Sequence, residues 1–249
     1  MRGRAIRLSK SRRMVIDLLH FARAIPTVPV QRRMQLAALI AARAACRDKP
    51  RWTAILAKAY ALVAAEQPVL RRAYVKLPWP QLYEYPTSTA TIMFERDHEG
   101  EPSLFSYLLR DPARMPLTAL STQLGKIADA PVDKVKDFRR NLSVSALPRP
   151  LRRLIWWLGL NIGRQRGNYF GTFGVSVYSA LKAESLHPLA PVTTVLNYGV
   201  FGDDGSVDVR IIYDHRVMDG AVVARILGRL EEVLTGPILE EIGGLEKDD

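Results

Sequence analysis

The last third of the chain holds three short segments with the pattern of β-strands, and these segments constrain the fold most. They are residues 171–178, 192–201 and 207–213. In the third segment, alternate apolar residues share one face: Val207, Val209, Ile211 and Tyr213. An amphipathic helix pattern begins at Asp219 and stops at Gly236-Pro237. Because strands and helices interleave, we predict an α/β chain whose mixed β-sheet is packed with helices.

The first two-thirds of the chain is dominated by helix patterns. Apolar residues at helical spacing predict four helices: residues 11–24, 31–46, 52–66 and 117–129. The apolar stripe of the first is expected at Val15, Leu18, Leu19 and Ala22. Two prolines keep residues 25–30 extended, and the β-branched run 87–95 predicts a strand.

Size and composition favour one globular domain over residues 1–249. A hydrophobic content of 48% supplies a real core. Cys46 is the single cysteine, which excludes an internal disulfide and a cysteine-rich metal site and fits a reducing compartment. No apolar run approaches the roughly 18–20 residues that span a bilayer, and we expect no signal peptide. We therefore predict a cytoplasmic protein with no metal site.

Positive charge is concentrated near the N-terminus. Residues 1–72 hold 16 Lys/Arg and 3 Asp/Glu, whereas residues 73–249 hold 20 and 22. An anionic partner fits this distribution: nucleic acid, acidic lipid or a small phosphorylated ligand. A solvated basic face explains it equally well, so charge alone does not decide.

The segment IIYDHRVMDG, residues 211–220, is the strongest candidate for chemistry. It places His215 where a strand ends and Asp219 at the start of the next helix. A neutral imidazole is suited to take a proton from a hydroxyl or thiol at neutral pH. The alternative is ordinary structure, with His215 a polar residue at a turn and Asp219 a cap for the helix N-terminus.

The whole string DHRVMDG resembles the DHRxxDG signature of the dihydrolipoamide acyltransferase catalytic domains of 2-oxoacid dehydrogenase complexes. Chloramphenicol acetyltransferase shares that fold and a related motif. Upstream, GTFGVSV resembles the family's strand pattern GTFTISN, and the basic helix followed by Ile-Pro resembles its opening. The resemblance covers residues 8–240 and implies a chloramphenicol acetyltransferase-like two-layer fold.

The resemblance also implies roles for individual residues. His215 is the expected general base, Ser176 the hydrogen-bond donor to the oxyanion, and Asp219 the residue that holds the local geometry. Arg216 is expected to be structural or to pair with a carboxylate, and Gly220 to permit close approach of the backbone. The implied reaction moves an acyl group directly from a thioester, in the first place acyl-CoA, to a hydroxyl, amine or thiol. Acyl-CoA is thus a co-substrate, and no permanently bound cofactor is expected.

The resemblance further implies a homotrimer in which the histidine of one copy faces the serine of its neighbour. No lipoyl domain and no subunit-binding domain is expected, so a freestanding acyltransferase fits better than a dehydrogenase core subunit. Arg12 and Arg13, on the basic N-terminal helix, are candidate contacts for the phosphates of CoA. A solvated arginine pair is the alternative.

Residues 148–167 combine Trp156 and Trp157 with flanking arginines. The segment is too short to span a membrane, but it suits a contact with a membrane surface or with an apolar substrate. A helix whose tryptophans belong to the core is the alternative.

Two other functional classes remain open. A non-catalytic trimeric scaffold would keep the fold and lose the chemistry, although retention of His215, Asp219 and Ser176 together argues against it. A nucleic-acid-binding protein would fit the sequence pI near 10. No recognised nucleic-acid motif supports it, so we expect no nucleic-acid partner.

Overall fold

A computed structural model of the protein describes residues 1, 3–177 and 183–245. Within these ranges the main sheet and a two-stranded sheet are built from the following strands: β1 (Thr27–Gln35), β2 (Arg72–Val75), β3 (Gln81–Glu84), β4 (Thr89–His98), β5 (Glu101–Arg110), β6 (Phe173–Val177), β7 (Thr194–Tyr198) and β8 (Ser206–Asp214). The predicted strands near 87–95, 192–201 and 207–213 are therefore confirmed within a few residues. Tyr178, the last residue of the predicted strand 171–178, lies outside the described residues.

The main sheet has six strands in the order β1-β8-β7-β6-β4-β5. β6 runs parallel to both β4 and β7, and the other neighbours in this sheet are antiparallel. The mixed sheet is as predicted. β2 and β3 form a separate antiparallel pair.

Helices flank the sheet on both faces. In chain order the described ones are α1 (Lys10–Ala22), α2 (Ala37–Ala45), α3 (Trp52–Glu66), α4 (Leu117–Asp129), α5 (Lys136–Ala146), α6 (Arg149–Asn161), α7 (Gly163–Phe170), α8 (Gly220–Thr235) and α9 (Pro237–Leu245). None of the helices in these ranges is long and apolar enough to cross a membrane.

One face of the sheet carries the main core. The alternate side chains of β8 lie there, packed with buried residues of α3, α4, α8 and α9. The predicted apolar face of this strand is thus confirmed. A central helix such as α3 is buried on most sides, because its residues are apolar around the whole circumference.

The opposite face of the sheet is covered by α1 and by α5 to α7. Ser9 caps α1 by accepting a hydrogen bond from the backbone N–H of Arg12. α1 is clasped to α6 by Asp17, which is fully buried and lies 2.5 Å from Arg152 Nε and 2.7 Å from Arg153 Nε. This covered face leaves an apolar space, described below.

Two details of the sequence-based prediction are wrong, and a third is confirmed. The predicted helix 31–46 is strand β1 up to Gln35 and helix only from Ala37, because residues 31–35 pair with β8. Of the predicted apolar stripe of α1, Ala22 is buried, whereas Val15, Leu18 and Leu19 are not. The buried side also contains Ser11, Met14 and Asp17, since the Asp17 ion pairs turn that side inward. The predicted end of the last helix pattern at Gly236-Pro237 is confirmed, because α8 ends at Thr235 and Pro237 begins the separate helix α9.

Candidate active site

The turn between β8 and α8 carries the histidine of the motif. The backbone N–H of His215 donates to the carbonyl of Pro26, at 3.0 Å, and Val217 N–H donates to Asp214 O, also at 3.0 Å. The turn is therefore tied both to itself and to the residue just before β1.

Asp214 and Arg216 form the buried anchor of this turn. The Asp214 carboxylate is fully buried and accepts from Arg216 Nε at 2.9 Å and from Arg216 Nη2 at 2.7 Å. The backbone N–H of Arg216 donates to the same carboxylate at 3.0 Å. The guanidinium also lies over the ring of Tyr74, 4.5 Å from its centroid. Arg216 thus pairs with a carboxylate of its own turn, which is a structural contact.

A second arginine lies beneath this anchor. Arg166 of α7 is buried, and its Nη1 donates to the carbonyls of Tyr74 at 3.2 Å and Leu160 at 3.4 Å. Burial lowers the pKa of the Arg166 guanidinium, whereas the nearby Tyr85 and Asp214 raise it. Burial is the largest of these effects, and the charge of Arg166 lies close enough to Asp214 for the two to interact.

His215 itself is turned toward solvent. Its side chain is 48% exposed, and its Nδ1 lies 3.6 Å from Asp219 Oδ1. That separation is longer than a hydrogen bond, but a small rotation of either side chain closes it. Asp219 occupies the N-cap position of α8 yet makes no side-chain capping bond. The alternative role of the Asp219 side chain, as a cap of the helix N-terminus, is therefore wrong.

Gly220 follows directly, at the first position of α8. A Cβ at this position would lie 3.3 Å from the hydroxyl of Tyr213. This is tighter than an ordinary contact, so a glycine lets the helix begin close to the end of β8.

Ser176 lies on the covered face of the sheet, at the other end of the strands. Its carbonyl accepts from Asn197 Nδ2 at 2.7 Å, and Asn197 Oδ1 lies 3.5 Å from Arg210 Nη1. Arg210 in turn donates to Glu184 at 2.8 Å. Ser176 lines a cavity of about 290 Å³, here called the inner chamber, between the sheet, α1 and the loop over residues 185–192.

The two predicted catalytic residues do not meet within one chain. Ser176 pairs with Asn197 and Asn197 with Arg210, so Ser176 and Arg210 are two strand spacings apart. His215 lies five residues beyond Arg210 along the chain. With about 4.8 Å between strands and 3.4 Å per residue, the two residues are roughly 20 Å apart. Proton transfer and oxyanion contact at one substrate need far shorter distances.

The tryptophan pair is divided by the structure. Trp156 lines the inner chamber and stacks on Phe21, with centroids 5.9 Å apart. Trp157 is 38% exposed and does not line this chamber. Most of residues 148–167 are helical and form α6 and the start of α7.

The predicted phosphate contacts lie on α1. Arg12 is exposed and Arg13 is half-buried, and Val15 and Leu18 of the same helix line the inner chamber. The helix that carries the two arginines is thus a wall of the cavity that contains Ser176.

Sequence reasoning missed two residues of this site. Asp214 belongs to the motif. It ends an apolar strand and lies two residues before Arg216, and this pattern could have indicated a buried ion pair. Arg166 gave no local signal, because only the folded chain brings α7 under the turn.

No protein-family profile and no curated protein matches the sequence significantly. The structure is similar to a probable dihydrolipoamide acetyltransferase of Listeria monocytogenes 4b F2365, with a TM-score of 0.70 and 14% identity over 94% of each chain. A dihydrolipoamide acetyltransferase of Azotobacter vinelandii gives a TM-score of 0.69 and 17% identity, covering 96% of this chain and 94% of the other. The roles of a serine, a histidine and an asparagine in its catalytic mechanism have been investigated.

Chloramphenicol acetyltransferase gives a TM-score of 0.52 and 13% identity, covering 92% of this chain and 96% of the other. The similarity to these structures lies in the fold. The chain therefore has the chloramphenicol acetyltransferase-like fold that the sequence resemblance implied.

Proposed function

We propose that this protein is an acyltransferase that moves an acyl group from a thioester, in the first place acyl-CoA, to a hydroxyl, amine or thiol acceptor. The observation that carries the proposal is the anchored turn at the end of β8. There the Asp214–Arg216 pair is buried while the imidazole of His215 stays exposed beside Asp219. A turn so firmly fixed around an exposed histidine suits a general base, whose position must be set before substrate arrives.

In the proposed reaction His215 takes the proton of the acceptor. The acceptor oxygen, nitrogen or sulfur then bonds to the thioester carbonyl carbon, and the carbonyl oxygen becomes an oxyanion. Asp219, 3.6 Å from Nδ1, would orient the imidazole so that Nε2 handles the proton. Collapse of the intermediate breaks the carbon–sulfur bond, and the leaving thiolate receives the proton from His215. The acyl group passes directly, without an acyl-enzyme.

Ser176 is the proposed donor to the oxyanion. It stands at the wall of the inner chamber, and the bond from Asn197 to its carbonyl holds this part of β6 in register. In comparable sites, loss of one such donor costs about 3 kcal/mol of transition-state stabilisation.

The separation of His215 and Ser176 supports a site shared between copies. One chain holds them roughly 20 Å apart by its strand register, and the proposal is therefore that the histidine of one copy serves the serine of another. A closed ring of three copies would provide three equal sites of this kind. The homotrimer, with Arg12 and Arg13 as contacts for the CoA phosphates, is part of the proposal.

The test is a complementation experiment. His215→Ala and Ser176→Ala proteins, each inactive alone, are unfolded together, refolded and assayed for thiol release from acyl-CoA. Mixed oligomers should recover part of the activity, because some interfaces pair an intact histidine with an intact serine. Refolding each variant alone is the control.

The oligomeric state is measured by light scattering in the same samples. An active monomer would contradict the shared site, as would mixed trimers that recover nothing. Wild-type trimers that release no thiol with any acyl-CoA and acceptor would instead support a non-catalytic scaffold.

A further inference from the structure

A second apolar cavity adjoins the inner chamber. This outer chamber has a volume of about 520 Å³ and lies between α5, α6 and α7. The two chambers share one set of walls: Met14, Asn141, Trp156, Tyr169 and Phe170. The two chambers therefore lie side by side, one against Ser176 and the other toward the surface of α6, with Trp156 between them.

The chemistry of the walls restricts what can occupy this space. No charged side chain lines the inner chamber in the part of the chain that the structure describes. In the outer chamber Arg140 is the charged residue among the described walls. It is already paired with Asp137 at 3.2 Å and lies over the ring of Tyr169. A charged or strongly polar occupant would lose its hydration without gaining a partner.

Trp156 stands where the chambers meet. It is packed between Phe21 and Phe170, whose ring centroids lie 5.9 and 5.0 Å from its own. On the far side, Ile155 and Leu158 of α6 line the outer chamber while each remains 38% exposed. The outer chamber thus opens at an apolar rim.

We infer that the acyl group transferred by this protein is a long unbranched alkyl chain that runs from Ser176 through the inner chamber into the outer one. This inference rests on the proposed function, because Ser176 marks the end at which the thioester carbonyl lies. An acetyl group would leave almost all of the apolar space unfilled. Each buried methylene strengthens binding about fourfold, so a chain that fills both chambers is strongly preferred.

The first experiment is a chain-length series of acyl-CoAs from acetyl to palmitoyl, with thiol release as the readout. In the wild type, kcat/KM should rise by about 100-fold or more from acetyl to the best chain, of ten or more carbons. Leu158→Trp reduces the volume of the outer chamber and should move the optimum to shorter chains.

The chain offers a matched control on the same helix. Leu154 is 51% exposed and does not line either chamber, so Leu154→Trp adds the same bulk outside the cavity and should leave the profile unchanged. Val144→Trp, on the α5 wall of the outer chamber, should reproduce the effect of Leu158→Trp. Val144→Trp keeps the test valid if the new side chain of Leu158→Trp points to solvent and does not reduce the chamber volume.

A binding measurement separates this inference from the proposed reaction. The uncharged probe dodecan-1-ol titrated into the wild type by calorimetry should bind, and Leu158→Trp but not Leu154→Trp should weaken that binding. Thiol release that is fastest with acetyl-CoA and indifferent to both chamber variants overturns the inference and leaves acyl transfer standing. Dodecan-1-ol binding that responds to the variants, without thiol release from any acyl-CoA, overturns the proposed function and keeps the chambers as an alkyl-chain site.

Discussion

Arg216 binds back to Asp214, two residues before it, through a pair of hydrogen bonds of 2.9 and 2.7 Å. His215 stands between the two partners and is the residue of the three that faces solvent. A buried carboxylate with a two-pronged arginine partner is a rigid support, since the loss of either partner leaves a buried charge unpaired. Support of the histidine, rather than contact with substrate, is the role that follows for Asp214 and Arg216.

His215→Ala should reduce acyl transfer by roughly 100-fold or more, the usual scale for loss of a general base. The fold should stay intact, because the His215 ring contributes exposed surface and the turn is held by the backbone and by Asp214. Activity and melting temperature are measured together. His98→Ala, at the distant β4–β5 hairpin, is the control and should keep wild-type activity. Near-wild-type transfer by His215→Ala would rule out the mechanism.

Ser176→Ala should lower kcat while changing KM little, because the hydrogen bond is made mainly to the oxyanion of the transition state. The expected fall in kcat is about 100-fold or more. Ser106, which also lines the inner chamber, provides the control, and Ser106→Ala should keep kcat. A change confined to KM would reassign Ser176 to ground-state binding.

Asp17→Asn should destabilise the protein strongly. Asp17 is the buried counter-charge of Arg152 and Arg153, and without it two poorly hydrated guanidinium groups lie side by side. Breaking a buried ion pair of this kind costs about 3 kcal/mol, which corresponds to a fall in Tm of roughly 6–12 °C. Asp133→Asn alters an exposed carboxylate and should leave Tm unchanged. Equal Tm values for the two variants would show that α1 and α6 are held together by other contacts.

Glu184 should make stability depend on pH at the acidic end. Hydrogen bonds from Arg210 and from the backbone N–H of Val200 lower the pKa of Glu184 below its ordinary value of 4.5. The carboxylate therefore stabilises the fold above pH 4.5, and this contribution is lost as the pH falls through the lowered pKa. The Tm of Glu184→Gln should be a few degrees below that of the wild type at pH 7, and this difference in Tm should narrow toward pH 3. A difference in Tm that stays constant with pH would mean that the charge of Glu184 does not stabilise the fold.

Trp156→Ala should weaken activity on dodecanoyl-CoA more than activity on acetyl-CoA, because Trp156 lines both chambers. Trp157 lines neither chamber, so Trp157→Ala should leave the ratio of the two activities unchanged. Sedimentation with anionic liposomes, measured on the same variants, tests the predicted contact of this segment with a membrane surface. Equal loss on both substrates with a lower Tm would identify Trp156 as ordinary core.

Much of the fold could be predicted because long elements carry strong periodicity. The helices at 52–66 and 117–129 were predicted to the residue. The second carries apolar residues at helical spacing, and the first is a long alanine-rich segment that follows a breaker. Strand β1 was missed over residues 31–35, where exposed polar side chains hide an edge strand defined only by its pairing with β8. Strand β5 and helix α5 were also not predicted.

The candidate site was predictable only in part. His215, Asp219 and Ser176 stood out through their motifs, but the chambers did not. Their walls come from α1, β4, β5, α5, α6 and α7, and no local pattern states which of these segments meet. The Ser176–His215 separation likewise required the strand register.

The pairing of β1 with β8 also sets the order in which the molecule can assemble. Thr27 is the register partner of Asp214. During synthesis, β1 therefore cannot pair with β8 until almost the whole chain has emerged. Until then β1 is unpaired, and its exposed Gln31, Arg32 and Arg33 make it polar, which disfavours pairing with other nascent chains. Closing so long a loop costs conformational entropy, so β1 pairs with β8 late in folding. The hydrogen bond from His215 N–H to the carbonyl of Pro26 forms at the same time. The turn that carries His215 therefore takes its shape only when the sheet is completed.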